Sequence, residues 1–158
     1  MPLHPAFLRV LLVFAGGGIG ACLRALLLTD RIDPTYNLVV LGINLGGSCA
    51  LGVVFVLADE AQILNVETRL FTAVGILGGL TTFSTFGWDL DLLLARHNAS
   101  TAALFALAGT AGALIAVGIG IEIARACLAM LGHERMREST RDPHMLDVIE
   151  TEDRDRPA

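Results

Sequence analysis

The chain has 158 residues, of which 54 % are hydrophobic and 17 % are charged. That composition is too apolar for an ordinary soluble domain of this length. The formal net charge of −5 comes largely from residues 132–158, and the chain has no lysine and no basic patch, which argues against nucleic-acid binding. These features indicate a small integral membrane protein.

Four apolar segments follow one another, and each is long enough to cross a bilayer. We predict helices over about residues 6–28, 35–58, 69–95 and 99–131, because a span needs ~20 apolar residues and lipid offers the backbone no hydrogen bonds. The run after Arg9 lacks a convincing cleavage site, so we interpret it as a retained first helix rather than a signal peptide. Short connectors make neighbouring helices antiparallel. The prediction is an all-α membrane domain over residues 1–131.

Residues 132–158 differ from the rest of the chain because they are polar and acidic. With few large apolar side chains they cannot build a core, and we predict that they are disordered. Two interpretations of this tail stay open, a solvated appendage and a segment that binds a partner.

The arginines of the helical region are divided equally between the two sides of the membrane. The side of the termini carries Arg9, Arg69 and Arg125, and the other side carries Arg24, Arg31 and Arg96. This balance gives no preferred orientation under the positive-inside rule and predicts insertion in both directions. Three further arginines near the start of the tail favour a cytoplasmic C-terminus and weaken that prediction.

Groups that could couple ions or catalyse hydrolysis are scarce in the predicted helices. The first two helices contain no carboxylate and no histidine, and every histidine of the chain lies in a loop or near a terminus. Proton-coupled transport and four-helix drug antiport both need an intramembrane titratable group. Cys22, Cys49 and Cys127 lie far apart in apolar stretches, so we interpret them as small buried hydrophobes. We therefore predict that the protein is not an enzyme.

The third helix carries the most specific signal, in the run Gly78-Gly79-Leu80-Thr81-Thr82. Paired glycines followed by hydroxyl side chains make a weak helix, because the hydroxyls compete for backbone groups. We predict a break over residues 78–82, near the middle of the helix. A break at this depth must be buried or line a cavity. Its freed carbonyls can bind a hard cation, and its amides and hydroxyls can donate to an anion.

Four side chains near this depth each allow two interpretations. Asn44 either makes an interhelical hydrogen bond or faces a cavity, and Arg24 either reaches the lipid headgroups or raises the potential of a vestibule. Phe83 and Phe86 share a helix face and either pack in the core or present their positive ring edges to a small anion. Amide, hydroxyl and ring-edge donors suit a small anion, because they bind it without trapping it.

Three motifs, in this order, resemble the Fluc (CrcB) family of bacterial fluoride channels. They are Gly17-Gly18-Ile19-Gly20-Ala21 with Arg24, Gly42-Ile43-Asn44-Leu45-Gly46, and residues 78–86. The resemblance covers roughly residues 15–121. It departs from the family's pattern at Ala25, where an aromatic residue is common, and at Asp89, where a glutamate is common. The fourth helix offers few polar candidates for the pore, chiefly Thr110.

The resemblance implies an antiparallel dual-topology homodimer in the bacterial inner membrane, with two fluoride pores at the subunit interface. It implies passive fluoride export that protects the cell from fluoride. The pore residues would be Asn44, Phe83, Phe86, Ser84, Thr85 and Arg24. The carbonyls of Gly78 and Thr81 would hold a structural sodium ion shared by both subunits. The remaining alternative is a membrane scaffold whose glycines and phenylalanines serve only packing.

Overall fold

The computed structural model describes residues 4–28, 36–96 and 99–139. Within these ranges the chain is helical apart from short turns, and it contains no strand. Four helices are long and apolar enough to cross a membrane, and we number them as spans 1 to 4: Pro5–Leu27, Leu38–Glu60, Val66–Ala95 and Ala99–Gly132. The predicted all-helical fold with four membrane spans is confirmed.

The regular elements are not all ordinary α-helix. Span 1 is a single α-helix, α1 (Pro5–Leu27). Span 2 lies within α2 (Tyr36–Phe55) and the π-helical turn that follows it (Val56–Glu60). Span 3 begins with α3 (Val66–Arg69) and a π-helical segment (Leu70–Leu77). It continues with α4 (Gly78–Leu80) and α5 (Phe83–Ala95). The last helix, α6, is Ala99–Ser139.

The start of span 3 and the end of the last helix show the largest differences from the sequence-based bounds. Span 3 begins at Val66 rather than at residue 69, because the side chain of Asn65 accepts a 2.8 Å hydrogen bond from the amide of Thr68 and caps the helix. The last helix continues to Ser139 rather than ending at residue 131. Residues 133–139 contain no glycine or proline and include good helix formers, which explains the extension. Residues 140–158 of the predicted tail lie outside the described residues.

The described residues divide into two units, one that extends to Ala124 and one that begins at Arg125. The first unit contains spans 1 to 3 and the part of α6 up to Ala124. The described part of the second unit is the remainder of α6, which ends at Ser139. All of the residues discussed below as a site belong to the first unit.

Spans 1 and 3 touch through four glycines, Gly16, Gly20, Gly75 and Gly79, which we call the glycine seam. A Cβ at Gly16 would collide with the carbonyl oxygen of Phe71, and one at Gly20 would collide with that of Ile76. A Cβ at Gly79 would lie 2.5 Å from the carbonyl oxygen of Gly17. The small residues therefore let the two backbones approach each other directly.

Spans 2 and 4 approach each other in a similar way at different positions. A Cβ at Gly52 would collide with the carbonyl oxygen of Val117, and one at Gly120 would collide with that of Cys49. In contrast, a Cβ at Gly42 or Gly46 would meet nothing within 4 Å among the described residues. Glycine pairs with the same four-residue spacing are therefore tightly packed in spans 1 and 3 but have open space beside them in span 2.

The hydrophobic core is small and most large apolar side chains point outward. Val40, Phe86 and Phe105 form the buried cluster, whereas Phe14 is 79 % exposed. Apolar side chains on the outside are expected of helices that face lipid or another chain. Cys22 and Cys127 are exposed as well, so the prediction that they are buried is wrong for both. Composition marks a helix as apolar but does not tell which side faces inward.

Candidate functional site

Span 3 changes backbone conformation at Thr81 and Thr82, which we call the interruption. Thr81 has φ −73° and ψ 154°, and Thr82 has φ −151° and ψ 116°, so both are extended. The α-helix before them ends at Leu80 and the next one begins at Phe83. The polar groups of these two residues cannot all be satisfied within the helix, and other side chains take over that role.

The side chain of Asn44 in span 2 makes hydrogen bonds to both the carbonyl and the amide of Thr82. Its Nδ2 donates to the Thr82 carbonyl at 3.0 Å, and its Oδ1 accepts from the Thr82 amide at 2.8 Å. The pair reproduces the hydrogen bonding of a backbone neighbour, and it leaves one Nδ2 hydrogen without a role in this contact. Of the two interpretations of Asn44, the interhelical hydrogen bond is therefore present, and one donor remains for a second partner.

The hydroxyl of Thr82 organises the start of the helix that follows. Its Oγ1 accepts from the Thr85 amide at 3.2 Å, donates to Thr85 Oγ1 at 3.0 Å and lies 3.2 Å from Ser84 Oγ. This is the arrangement of a helix N-cap, in which a threonine side chain satisfies the third amide of the helix. Ser84 and Thr85 are thus linked to the interruption through Thr82.

These side-chain contacts free two backbone carbonyls. In an unbroken helix the Thr82 amide donates to the Gly78 carbonyl and the Thr85 amide donates to the Thr81 carbonyl. Here the first amide donates to Asn44 Oδ1 and the second donates to Thr82 Oγ1. The carbonyls of Gly78 and Thr81, which are the predicted sodium ligands, therefore both lose their helical donors.

Arg24 reaches one of these carbonyls from span 1. Its Nη1 donates to the Thr81 carbonyl at 3.3 Å, and the contact is partly buried. The guanidinium of Arg24 therefore makes a contact with span 3 and does not simply extend from the end of span 1. Both earlier interpretations of Arg24 placed it near the end of span 1, but neither anticipated a contact with the interruption.

A cavity of about 380 Å³ lies between spans 2, 3 and 4 beside the interruption. Its wall combines polar groups, glycines and aromatic rings. The lining residues that bear on function are Asn44, Ser48, Gly78, Thr81, Thr82, Phe83, Phe86, Gly109 and Thr110. Five predicted site residues therefore meet at one cavity: Asn44, Gly78, Thr81, Phe83 and Phe86. Arg24, Ser84 and Thr85 are not in its wall and are connected to it through hydrogen bonds.

The two predicted aromatic residues occupy different environments. Phe83 is 82 % exposed, whereas Phe86 is 6 % exposed. Their ring centroids lie 5.8 Å apart with the planes tilted by 42°. Phe86 also stacks on Phe105 at 4.9 Å, and its ring lies against Gly109, where a Cβ would collide with it. Phe86 therefore both packs in the core and faces the cavity, so its two interpretations are not exclusive.

Several residues of the site were not predicted as such from the sequence. Ser48 lines the cavity one turn after Asn44, and Phe105 supports the ring of Phe86. Thr110, the obvious polar residue of the fourth helix, lines the cavity, but its hydroxyl donates to the Ala106 carbonyl at 2.9 Å. The four-residue spacing from Asn44 to Ser48 was a usable signal, whereas nothing local distinguishes Phe105 from an ordinary apolar residue.

Among the described residues, no group of His, Cys, Asp and Glu side chains could hold a metal ion. The donor set at the interruption consists instead of backbone carbonyls and hydroxyls. Hard cations such as sodium prefer oxygen ligands, and backbone carbonyls are among them. The freed carbonyls of Gly78 and Thr81 therefore fit the chemistry of the predicted sodium site.

Four spans that are long and apolar enough to cross a membrane, three of which line a cavity with polar and aromatic walls, define a multi-pass membrane protein. Residues 11–121 match the model of the family described as CrcB-like protein, Camphor Resistance (CrcB). The chain belongs to this family, whose relatives are named as ion channels and not as enzymes.

Curated relatives match over most of their own length. A protein of Nocardia farcinica named fluoride-specific ion channel FluC 2 is 42 % identical over 127 residues, which are 78 % of this chain and 89 % of the relative. A fluoride-specific ion channel FluC of Mesorhizobium japonicum is 40 % identical over 120 residues, 74 % of this chain and 96 % of the relative. A fluoride-specific ion channel FluC of Sphingopyxis alaskensis is 37 % identical over 116 residues, which are 72 % of this chain and 92 % of the relative.

Proposed function

We propose that this protein is a fluoride-selective channel that lets fluoride leave the cell passively across the bacterial inner membrane, and so protects the cell from fluoride. The relatives' printed names supply the ion. The observation that carries the proposal is the shared cavity, which brings Asn44, the interruption and two phenylalanines together. Such a wall offers hydrogen-bond donors and ring edges to an anion without a full charge.

The donors available to the ion can be named from the geometry. The second Nδ2 hydrogen of Asn44 is not used in its contact with Thr82, and Ser48 adds a hydroxyl to the wall. Ser84 and Thr85 would extend the polar path beside the interruption, and Arg24 would contribute positive potential at its edge. Phe83 and Phe86 would present their ring edges to the passing ion.

We also propose that the working unit is an antiparallel homodimer with two pores at its interface. The ring of Phe83 is 82 % exposed beside the cavity, so a second chain could complete the wall around it. The balanced arginines of the two membrane sides support insertion in both orientations. Light scattering in detergent is expected to give a protein mass of about twice the 16.7 kDa of one chain.

The carbonyls of Gly78 and Thr81 would hold a sodium ion at the centre of that dimer. Each chain supplies two freed carbonyls, so two chains together would supply a set of oxygen ligands typical of a hard cation. A bound ion there would neutralise the partial negative charge of those oxygens and hold the interruptions of both chains in place.

The direct test is fluoride efflux from proteoliposomes that contain the purified protein, followed with a fluoride electrode and repeated with chloride. We expect rapid fluoride release and negligible chloride release. Protein-free liposomes provide the background. A folded, monodisperse protein that releases no fluoride would contradict the proposal and would favour the scaffold interpretation, in which glycines and rings serve only packing.

A further inference from the structure

The Thr81 carbonyl is contacted by a cationic side chain from another span, Arg24 of span 1. Arg24 Nη1 donates to this carbonyl at 3.3 Å. Under the proposed function, on which this inference rests, the same carbonyl is a ligand of the sodium ion. A carbonyl oxygen has two lone pairs, so it can accept from the guanidinium and bind a cation at the same time, but the two positive charges are then close together.

The separation between these charges follows from the bond lengths. A hard cation lies ~2.4 Å from its oxygen ligands, so it would be no more than about 6 Å from Arg24 Nη1. Repulsion between unit charges at that separation lowers the affinity on the order of tenfold or more, even at an effective dielectric constant above that of a dry protein interior. The two cations therefore oppose each other at the Thr81 carbonyl.

The hydrogen-bond pattern explains why Arg24 is at this position. The interruption deprives the Thr81 carbonyl of its helical donor, because the Thr85 amide donates to Thr82 Oγ1. A partly buried carbonyl without a donor is costly, and a charged donor from the neighbouring span removes that cost. Arg24 does for Thr81 what Asn44 does for Thr82.

We infer that Arg24 is a positioning residue that acts as a tethered cation for the interruption of span 3 and, by charge repulsion, weakens the binding of sodium at the Thr81 carbonyl. It also stabilises the interruption when sodium is low. The affinity of the site for the ion is thereby set by a residue of span 1 that is not itself a ligand.

The test measures the unfolding temperature of the full-length protein as sodium chloride replaces N-methyl-D-glucamine chloride at constant ionic strength. An ion that binds only the folded state raises this temperature, and the titration gives an apparent midpoint. We expect Arg24→Met to unfold at a lower temperature than the wild type without sodium and to show a midpoint lower by about tenfold or more. Arg24→Lys keeps the charge, and its midpoint should stay close to that of the wild type.

Arg9→Met is the matched control, because Arg9 lies on the same helix in an exposed position, ~22 Å along the axis from Arg24. Its midpoint should equal that of the wild type. If Arg24→Met does not fold without sodium, Arg24→Gln, which keeps a donor but no charge, gives the same comparison. An unchanged or higher midpoint in the uncharged variants would overturn the inference.

The failure of the inference can be distinguished from the failure of the proposed function. If sodium stabilises the wild-type protein but its midpoint is the same in the Arg24 variants, the inference about Arg24 fails and the proposed sodium site stands. If the unfolding temperature of the wild type does not depend on sodium, both the proposed sodium site and the inference fail. Fluoride efflux from the same preparation then decides separately whether the protein is a channel.

Discussion

Span 3 has two sides that are built for different purposes. Toward span 1 it presents Gly75 and Gly79, and the backbones meet so closely that no carbon atom can be added. Toward spans 2 and 4 it presents the interruption and two rings around a cavity of about 380 Å³. The comparison teaches that direct backbone contact fixes span 3 against span 1, while the side of span 3 that faces spans 2 and 4 is polar and open.

The largest effect is expected from adding one methyl group to the seam. In Gly20→Ala the new Cβ collides with the carbonyl oxygen of Ile76, which is backbone and cannot move away like a flexible side chain. We expect destabilisation by about 3 kcal/mol and little folded protein. Size-exclusion profiles and unfolding temperatures measure this.

Gly18→Ala is the control for the seam, since a Cβ at Gly18 meets nothing within 4 Å among the described residues. It should behave like the wild type. Equal behaviour of the two alanine variants would contradict the view that backbone contact through the seam supports span 3.

The second effect concerns the cavity side alone. Replacing Phe83 and Phe86 together by isoleucine keeps apolar bulk but removes the ring edges, so we expect fluoride efflux to fall about a hundredfold while the protein stays folded. The stacking of Phe86 on Phe105 predicts a loss of stability of only about 1 kcal/mol. Electrode-recorded efflux and unfolding temperature separate the two.

Phe14→Ile is the matched control for the ring variants, because Phe14 is 79 % exposed on span 1 and does not line the cavity. It should conduct like the wild type. If the double variant conducts normally, the phenylalanines serve packing only, as the scaffold interpretation holds.

The third effect connects the two sides, because Asn44 holds the interruption and also lines the cavity. Asn44→Leu removes both hydrogen bonds to Thr82 and should destabilise the protein by about 2 kcal/mol and lower the flux. Asn44→Gln keeps both the donor and the acceptor on a longer side chain and should lose less stability. Equal unfolding temperatures for the two variants would contradict the view that the hydrogen bonds between Asn44 and Thr82 stabilise the interruption.

The fold followed from the sequence to the extent that it depends on local composition. Four apolar runs of sufficient length must be helices in lipid, and the structure has all four. The missed ends have local causes, the Asn65 cap and the helix-forming residues after 131. Cys22 and Cys127 were misjudged because the spans are apolar on all sides, so that hydrophobicity does not reveal the inward face.

The site followed from the sequence only within span 3. The run of glycines and hydroxyl residues indicated where the backbone conformation could change, and Thr82 with Thr85 has the spacing of a helix cap. The partners of that segment come from other spans. Asn44 and Arg24 lie far from it along the chain, and no pattern in one sequence specifies which backbone atoms they bind. Contacts of this kind are decided by packing.

The smallest effect is expected at a glycine that belongs to neither side. Gly42 and Gly46 have the same spacing as Gly75 and Gly79, but a Cβ at either meets nothing within 4 Å among the described residues. Gly42→Ala should therefore unfold within a few degrees of the wild type, because alanine adds no collision and is the better helix former. A drop as large as that of Gly20→Ala would mean that this face is packed in the working protein, and a second copy of the chain is then the surface against which it packs.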